Sequence, residues 1–133
     1  MSLETCALSE LPDVIAPDSS EVRILATTQR GSMAQFTLPP RAVSKAVSHR
    51  TVEELWFVIH GVGLMWRKLG EEEVTVALRA GISISIPVGT HFQFRNDSLE
   101  PLHCIGVTMP PWPSMDEAYE VDGPWQANSV ATP

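Results

Sequence analysis

GISISIPVGTHFQFRN, residues 81–96, is the stretch on which the fold turns. Ile82, Ile84 and Ile86 alternate with Ser83 and Ser85, a period of two that makes a strand with one core face and one face tolerant of water. Pro87 and Gly89 then break the run as a turn. The strand that follows divides into Phe92, Phe94 and Asn96 on one face and His91, Gln93 and Arg95 on the other. The apolar set belongs inside, so Phe92 and Phe94 are expected to face the interior and His91 the exterior or rim. A bulge at the turn would bring His91 inward instead.

The same punctuation extends in both directions. Eleven prolines and eight glycines divide the 133 residues into short β-rich runs: 22–26, 33–38, 54–60, 63–68, 74–78, 82–86, 90–95 and 102–109. Such spacing predicts a β-sandwich or barrel. No window carries a capped, helical apolar period, so helix is expected at most as a turn near Ala7–Leu11. In the run from Glu54 to His60 one face holds Glu54, Trp56, Val58 and His60, and the other Leu55, Phe57 and Ile59. Both are largely apolar, so a second cover is expected, from the terminal arms or from a partner copy. Residues 1–30 read as an arm with a first strand, 31–111 as the barrel and 112–133 as an acidic tail. Trp125 is expected to dock on the barrel or a partner, and the last eight residues, QANSVATP, to lack structure.

Composition narrows the partners. Sixteen acids against nine bases give a net charge of −7, which disfavours nucleic acid and anionic membrane surfaces. The acidity sits at the ends. Residues 1–21 hold Glu4, Glu10, Asp13, Asp18 and Glu21 with no base, and 113–133 hold Asp116, Glu117, Glu120 and Asp122 with none. These are expected to be solvated arms. The start has neither a basic region nor an apolar run of the secretory kind. The uncharged run from Leu55 to Trp66 is broken by His60, Gly61 and Gly63, too short and polar to span a bilayer. Cys6 and Cys104 form no CxxC pair, so a reduced cytoplasmic setting is expected.

The spacing Gly81, Pro87, Gly89, ending at Asn96, resembles the second motif of the cupin superfamily. His49, four residues, Glu54, six residues and Gly61 are similar to the second half of its first motif, and about 20 residues separate Gly61 from Gly81. The resemblance covers roughly residues 31–111 and implies an all-β jelly-roll barrel, often dimeric through edge strands. It also implies a metal site of two histidines as HxH, a glutamate, and a third histidine from the second motif, a set that suits Fe, Mn, Ni, Cu or Zn. Here the chain departs. His49 and Glu54 occupy two ligand positions, but Val47 stands at the first histidine and Phe92 at the third, with His91 a candidate third ligand one place away.

Three functions are consistent with this pattern. The first is a small-molecule-binding cupin with an incomplete metal site, whose cavity is lined by His49, Glu54, Trp56, Phe92 and Phe94. The second is a metal-dependent dioxygenase, isomerase or lyase acting on a small organic acid or sugar-like substrate. The third is a metal-free enzyme using Glu54 and His49 as an acid/base pair. Trp56 and Trp66 are expected to line or close the barrel, His60 to end a strand, and His103 to be a satisfied structural histidine. The sequence names no ligand.

Overall fold

The computed structural model describes residues 2–128. Eleven strands follow one another: β1 Val14–Ile15, β2 Glu21–Thr27, β3 Ser32–Leu38, β4 Val47–His49, β5 Glu53–His60, β6 Val62–Leu69, β7 Glu72–Arg79, β8 Ser83–Ile86, β9 His91–Arg95, β10 Leu102–Met109 and β11 Ala118–Glu120. All eight expected runs are strands. They form two antiparallel sheets, one in the order β1-β2-β3-β10-β5-β8 and the other β11-β4-β9-β6-β7, facing each other as a jelly roll. No described helix is long and apolar enough to cross a membrane.

The turn glycines act as the spacing implies. Gly61 has a φ of 92°, and a Cβ there would lie 2.5 Å from the Pro101 carbonyl oxygen, so both handedness and close approach demand glycine. Asn96 closes the second motif by donating from Nδ2 to the carbonyls of Leu38 and Glu100 and accepting from the Ser98 amide. It ties its own loop, residues 96–101, to the end of β3.

Pairing register sets what lies inside. β10 runs between β3 and β5, placing Cys104 opposite Phe36 and Val58, and Gly106 opposite Ala34 and Trp56. From Leu102 toward Thr108 the interior passes from a packed core to an open end. Leu38, Val58, Met65, Leu78, Phe94, Leu102 and Cys104 fill the packed end, and Ile84 and Ile86 stand opposite Trp56 and Glu54. Burying each large side chain there contributes about 1.5–3 kcal/mol. Ile84 and Ile86 are buried and Ser83 and Ser85 exposed, as their alternation requires.

Several expectations are corrected. No helical turn forms at Ala7–Leu11, because the carbonyls of Ser9 and Glu10 accept from the Arg23 guanidinium and the segment stays extended. The arms do not cover the second face of β5: Leu55, Phe57 and Ile59 remain exposed. Trp66 does not line the barrel. It pairs with Gln93 on the outer face of its sheet and donates its indole N–H to Glu73.

Nor are the acidic ends merely solvated. Asp18 is buried, and so is Glu117. Burial alone would raise the Glu117 carboxyl, but hydrogen bonds from the Thr51 amide and hydroxyl and the Val52 amide outweigh it and lower its pKa. The tail is anchored further on. Gln93 exchanges hydrogen bonds with the backbone of Trp125, Arg95 lies over the Trp125 ring, and Asn128 bridges to Val43. Asn128 therefore departs from the unstructured end expected for QANSVATP, whose residues 129–133 lie outside the described residues.

Candidate functional site: an apolar cavity with two buried carboxyls

At the open end the two sheets enclose a cavity of about 340 Å³. This is at the small end of the roughly 300–1,000 Å³ typical of ligand sites. Its walls follow from strand period. Glu54 and Trp56, two apart on β5, both point inward. Val47 on β4 stands opposite Phe92 on β9, and His49 follows Val47 on the same face. Ala34 and Phe36 on β3 and Thr108 on β10 complete the barrel side.

Four aromatic rings shape the space. Phe36 stacks on Trp56 with centroids 4.9 Å apart, while Phe92 meets His49 edge-on at 5.2 Å. Trp112 approaches the other edge of His49 at 5.1 Å. Such aromatic contacts each add about 0.5–1.5 kcal/mol beyond area burial. Gly106 makes the stack possible, since a Cβ there would lie 2.3 Å from Phe36.

His49 and Glu54 are both buried, with the Glu54 Oε2 atom 3.1 Å from His49 Nδ1. Glu54 Oε1 accepts the Trp56 indole N–H at 2.7 Å. Burial is the largest influence on both groups. It pushes Glu54 up to about 8 against the opposing Trp56 bond, with the Asp18 charge adding to the rise. It lowers His49 to about 4, against the Glu117 charge and the Val52 backbone. The contact is close in distance but poorly aligned, so Nδ1 has no well-formed hydrogen bond. At neutral pH it is a carboxylic acid facing a neutral imidazole and not an ion pair, because the low-dielectric wall penalises both charges.

A second carboxyl enters from the N-terminal arm. Residues 16–20 make a tight turn in which the Ala16 amide donates to the Ser20 carbonyl and Ser19 adopts a φ of 79°. That left-handed residue costs of order 1 kcal/mol. The turn carries Asp18 into the cavity wall, where Oδ1 accepts both the amide and the hydroxyl of Ser20. Burial raises the Asp18 pKa against those hydrogen bonds.

Of the residues expected at the site, His49, Glu54, Trp56 and Phe92 line one cavity. Phe94 does not. It lies one layer deeper, its ring 5.0 Å from Trp56 in the packed core. His91 is partly exposed and pairs with Lys68, on the opposite side of β9 from Phe92, and is not part of the cavity wall. His103 accepts or donates with Thr37 at 2.8 Å, and His60 contacts the Pro101 carbonyl; neither lines the cavity. Reading the sequence missed Asp18 and Trp112. A Pro-Pro-Trp-Pro turn is a visible signal for the latter, but nothing local marks Asp18 among the other acids of the arm.

The metal set implied by the cupin resemblance does not fit these residues. Val47 and Phe92 offer no donor atom, and they are direct cross-strand partners, so half of the expected coordination sphere is hydrocarbon. Among the described residues no group of three or more His, Cys, Asp or Glu is arranged to hold an ion.

Comparison with known proteins agrees with this architecture. A family model described as "Cupin domain" matches residues 34–108, more than half of the chain. No curated protein matches the sequence. Similar solved structures include the capsular polysaccharide assembling protein CapF from Staphylococcus aureus, with 16% identity and a TM-score of 0.67 over 80% of this chain and 33% of that one. Bacillus subtilis oxalate decarboxylase, described with Mn(II) centers, has 18% identity and a TM-score of 0.66 over 77% and 28% of the two chains. An uncharacterized conserved protein with a double-stranded beta-helix domain from Klebsiella pneumoniae has 16% identity and a TM-score of 0.63 over 78% and 85%. The present chain thus spans about a third of the length of the first two proteins. At these identities the likeness is one of fold.

Proposed function

The chain belongs to the cupin domain family, and on that premise we propose that it binds a small, mainly apolar molecule in the barrel cavity, without the family's metal. The supporting observation is the cavity itself, whose wall combines Phe36, Trp56, Phe92 and Trp112 with a few convergent polar groups at the Glu54–His49 end. The test is a tryptophan-fluorescence titration with small aromatic fragments, since Trp56 and Trp112 stand in the wall. Saturable quenching is expected, and Ala34→Leu, which fills the cavity from β3, should remove it. Quenching that survives Ala34→Leu would move the site elsewhere.

One observation favours a second reading. Glu54, held protonated near pH 7 and facing His49 at 3.1 Å, is suited to give a proton to a bound molecule and recover it through the imidazole. That activity would follow the titration of Glu54, and Glu54→Gln would abolish turnover while leaving binding of a neutral ligand in place.

We also propose a homodimer. In register, Met33, Val107 and Leu55 form one row across β3, β10 and β5 on the outer face, and Ile105 and Phe57 extend it. Leu55, Phe57, Ile59 and Met33 are exposed in the single chain, a contiguous apolar face of the kind that a second copy covers. A reducing cytoplasmic setting suits Cys6 and Cys104, both free thiols.

A further inference from the structure

We propose that the cavity recognises an organic ammonium, an apolar or aromatic body carrying one protonated amine, and selects against organic acids. The inference rests on the ligand-binding reading above and adds the charge of the ligand.

Two carboxyl groups, Asp18 from the arm and Glu54 from β5, line the same cavity, and among the described residues no lysine or arginine does. The remaining titratable group of the wall is His49 on β4, biased toward the neutral form by burial, with Glu117 acting on it only through its charge. A carboxylate ligand entering this space would lose its water and gain no cation, beside two groups that themselves resist charge. An ammonium would gain acceptors instead. Among the described residues Asp18 uses Oδ1 on Ser20 and leaves Oδ2 without a hydrogen bond, and Glu54 Oε2 has only the misaligned His49 contact. Among the described residues His49 Nδ1 has no hydrogen-bond partner, in a side chain 5% exposed, and can accept in one of its two neutral tautomers.

The rest of the wall fits the same ligand. Ring faces attract cations, and Trp56, Trp112, Phe36 and Phe92 enclose the volume beside the carboxyls. Aromatic walls with acidic groups at one end present an ammonium with charge partners and its carbon body with apolar ones. Burial raises the pKa of both carboxyls, and a cation placed beside either would favour its ionised form.

The charge of the ligand makes the proposal measurable. Calorimetric titrations would use 2-phenylethylamine, 2-phenylethanol and 3-phenylpropanoate, three ligands of similar shape and different charge, at pH 7. The amine is expected to bind roughly tenfold or more tightly than the alcohol, with the acid weakest. Asp18→Asn and Glu54→Gln should each weaken the amine at least fivefold and leave the alcohol nearly unchanged. Because Asp18 also holds its own turn, the melting curve of each variant is taken first, and Glu54→Gln carries the test where Asp18→Asn fails to fold. Tighter binding of the alcohol or acid, or amine binding unchanged in a folded Glu54→Gln variant, would overturn the ammonium inference while the ligand-binding reading stands. No saturable binding by any of the three, at millimolar concentration and with no thermal shift, would overturn both.

Discussion

Glu54 and His49 face each other at 3.1 Å inside an apolar wall, where burial favours the protonated carboxyl and the neutral imidazole. Both residues are neutral at pH 7 for one reason, the cost of holding charge where water is excluded. A site that looks from sequence like half a metal centre is therefore, in the folded chain, an uncharged carboxyl–imidazole contact at the end of a hydrophobic cavity.

The first prediction concerns pH. Glu54 is raised from 4.5 to about 8, so the folded state holds its proton more tightly than the unfolded chain, and stability falls as pH rises through that interval. His49 is lowered from 6.5 to about 4, and its contribution is lost as pH falls through that range. The slopes oppose each other between about 4.5 and 6.5, leaving Glu54 to dominate above. Denaturant unfolding from pH 6.5 to 8.5 should show a loss of about 2 kcal/mol in the wild type, at 1.36 kcal/mol per pKa unit. Glu54→Gln should largely flatten that slope. A wild-type profile that is already flat would mean that Glu54 ionises like a surface carboxyl.

Gly106→Ala tests the wall. The added Cβ would lie 2.3 Å from Phe36 Cε2 and 3.2 Å from Trp56 Cδ1, so the stacked pair must shift. Overpacking of this kind costs about 1–3 kcal/mol. A lower melting temperature with altered tryptophan emission is expected. Wild-type values for both would show that the rings have room to spare.

Phe92→His tests the ancestry of the site. The new imidazole would stand where the Phe92 ring now lies 5.2 Å from His49, adding a third donor to His49 and Glu54. Affinity for Ni or Zn should rise at least tenfold by calorimetry, against a stability loss of about 1–3 kcal/mol for burying a polar ring. Metal affinity equal to wild type in a folded variant would refute the assignment of Phe92 to the ligand position.

The outer face of the first sheet gives the last prediction. Sedimentation should find a dimer, and Phe57→Glu, at a position 48% exposed in the single chain, should yield a folded monomer. A monomeric wild type at micromolar concentration would sink the assignment of that face.

Much of the fold is legible residue by residue. Ile82, Ile84 and Ile86 declare their strand by period, and Gly61, Gly81, Pro87 and Gly89 declare its turns, because backbone handedness and alternation are local properties. The short strands Val47–His49 and Ala118–Glu120 are not legible, since pairing across sequence and not propensity holds them. At the site, His49, Glu54, Trp56 and Phe92 are identifiable from motif spacing. Phe94 is assigned one layer too far out, because the same face of one strand can feed both a cavity and a core.

What the sequence determined by itself is the alternation of inside and outside, hence the barrel, and the loss of two metal donors at Val47 and Phe92. What only the tertiary structure decided is the character of the cavity. Asp18 reaches it from the arm, Trp112 from beyond the last barrel strand, and Glu54 keeps its proton there. Each of these depends on which surfaces are excluded from water together, and burial of that kind is a property of the packed whole that no local pattern encodes.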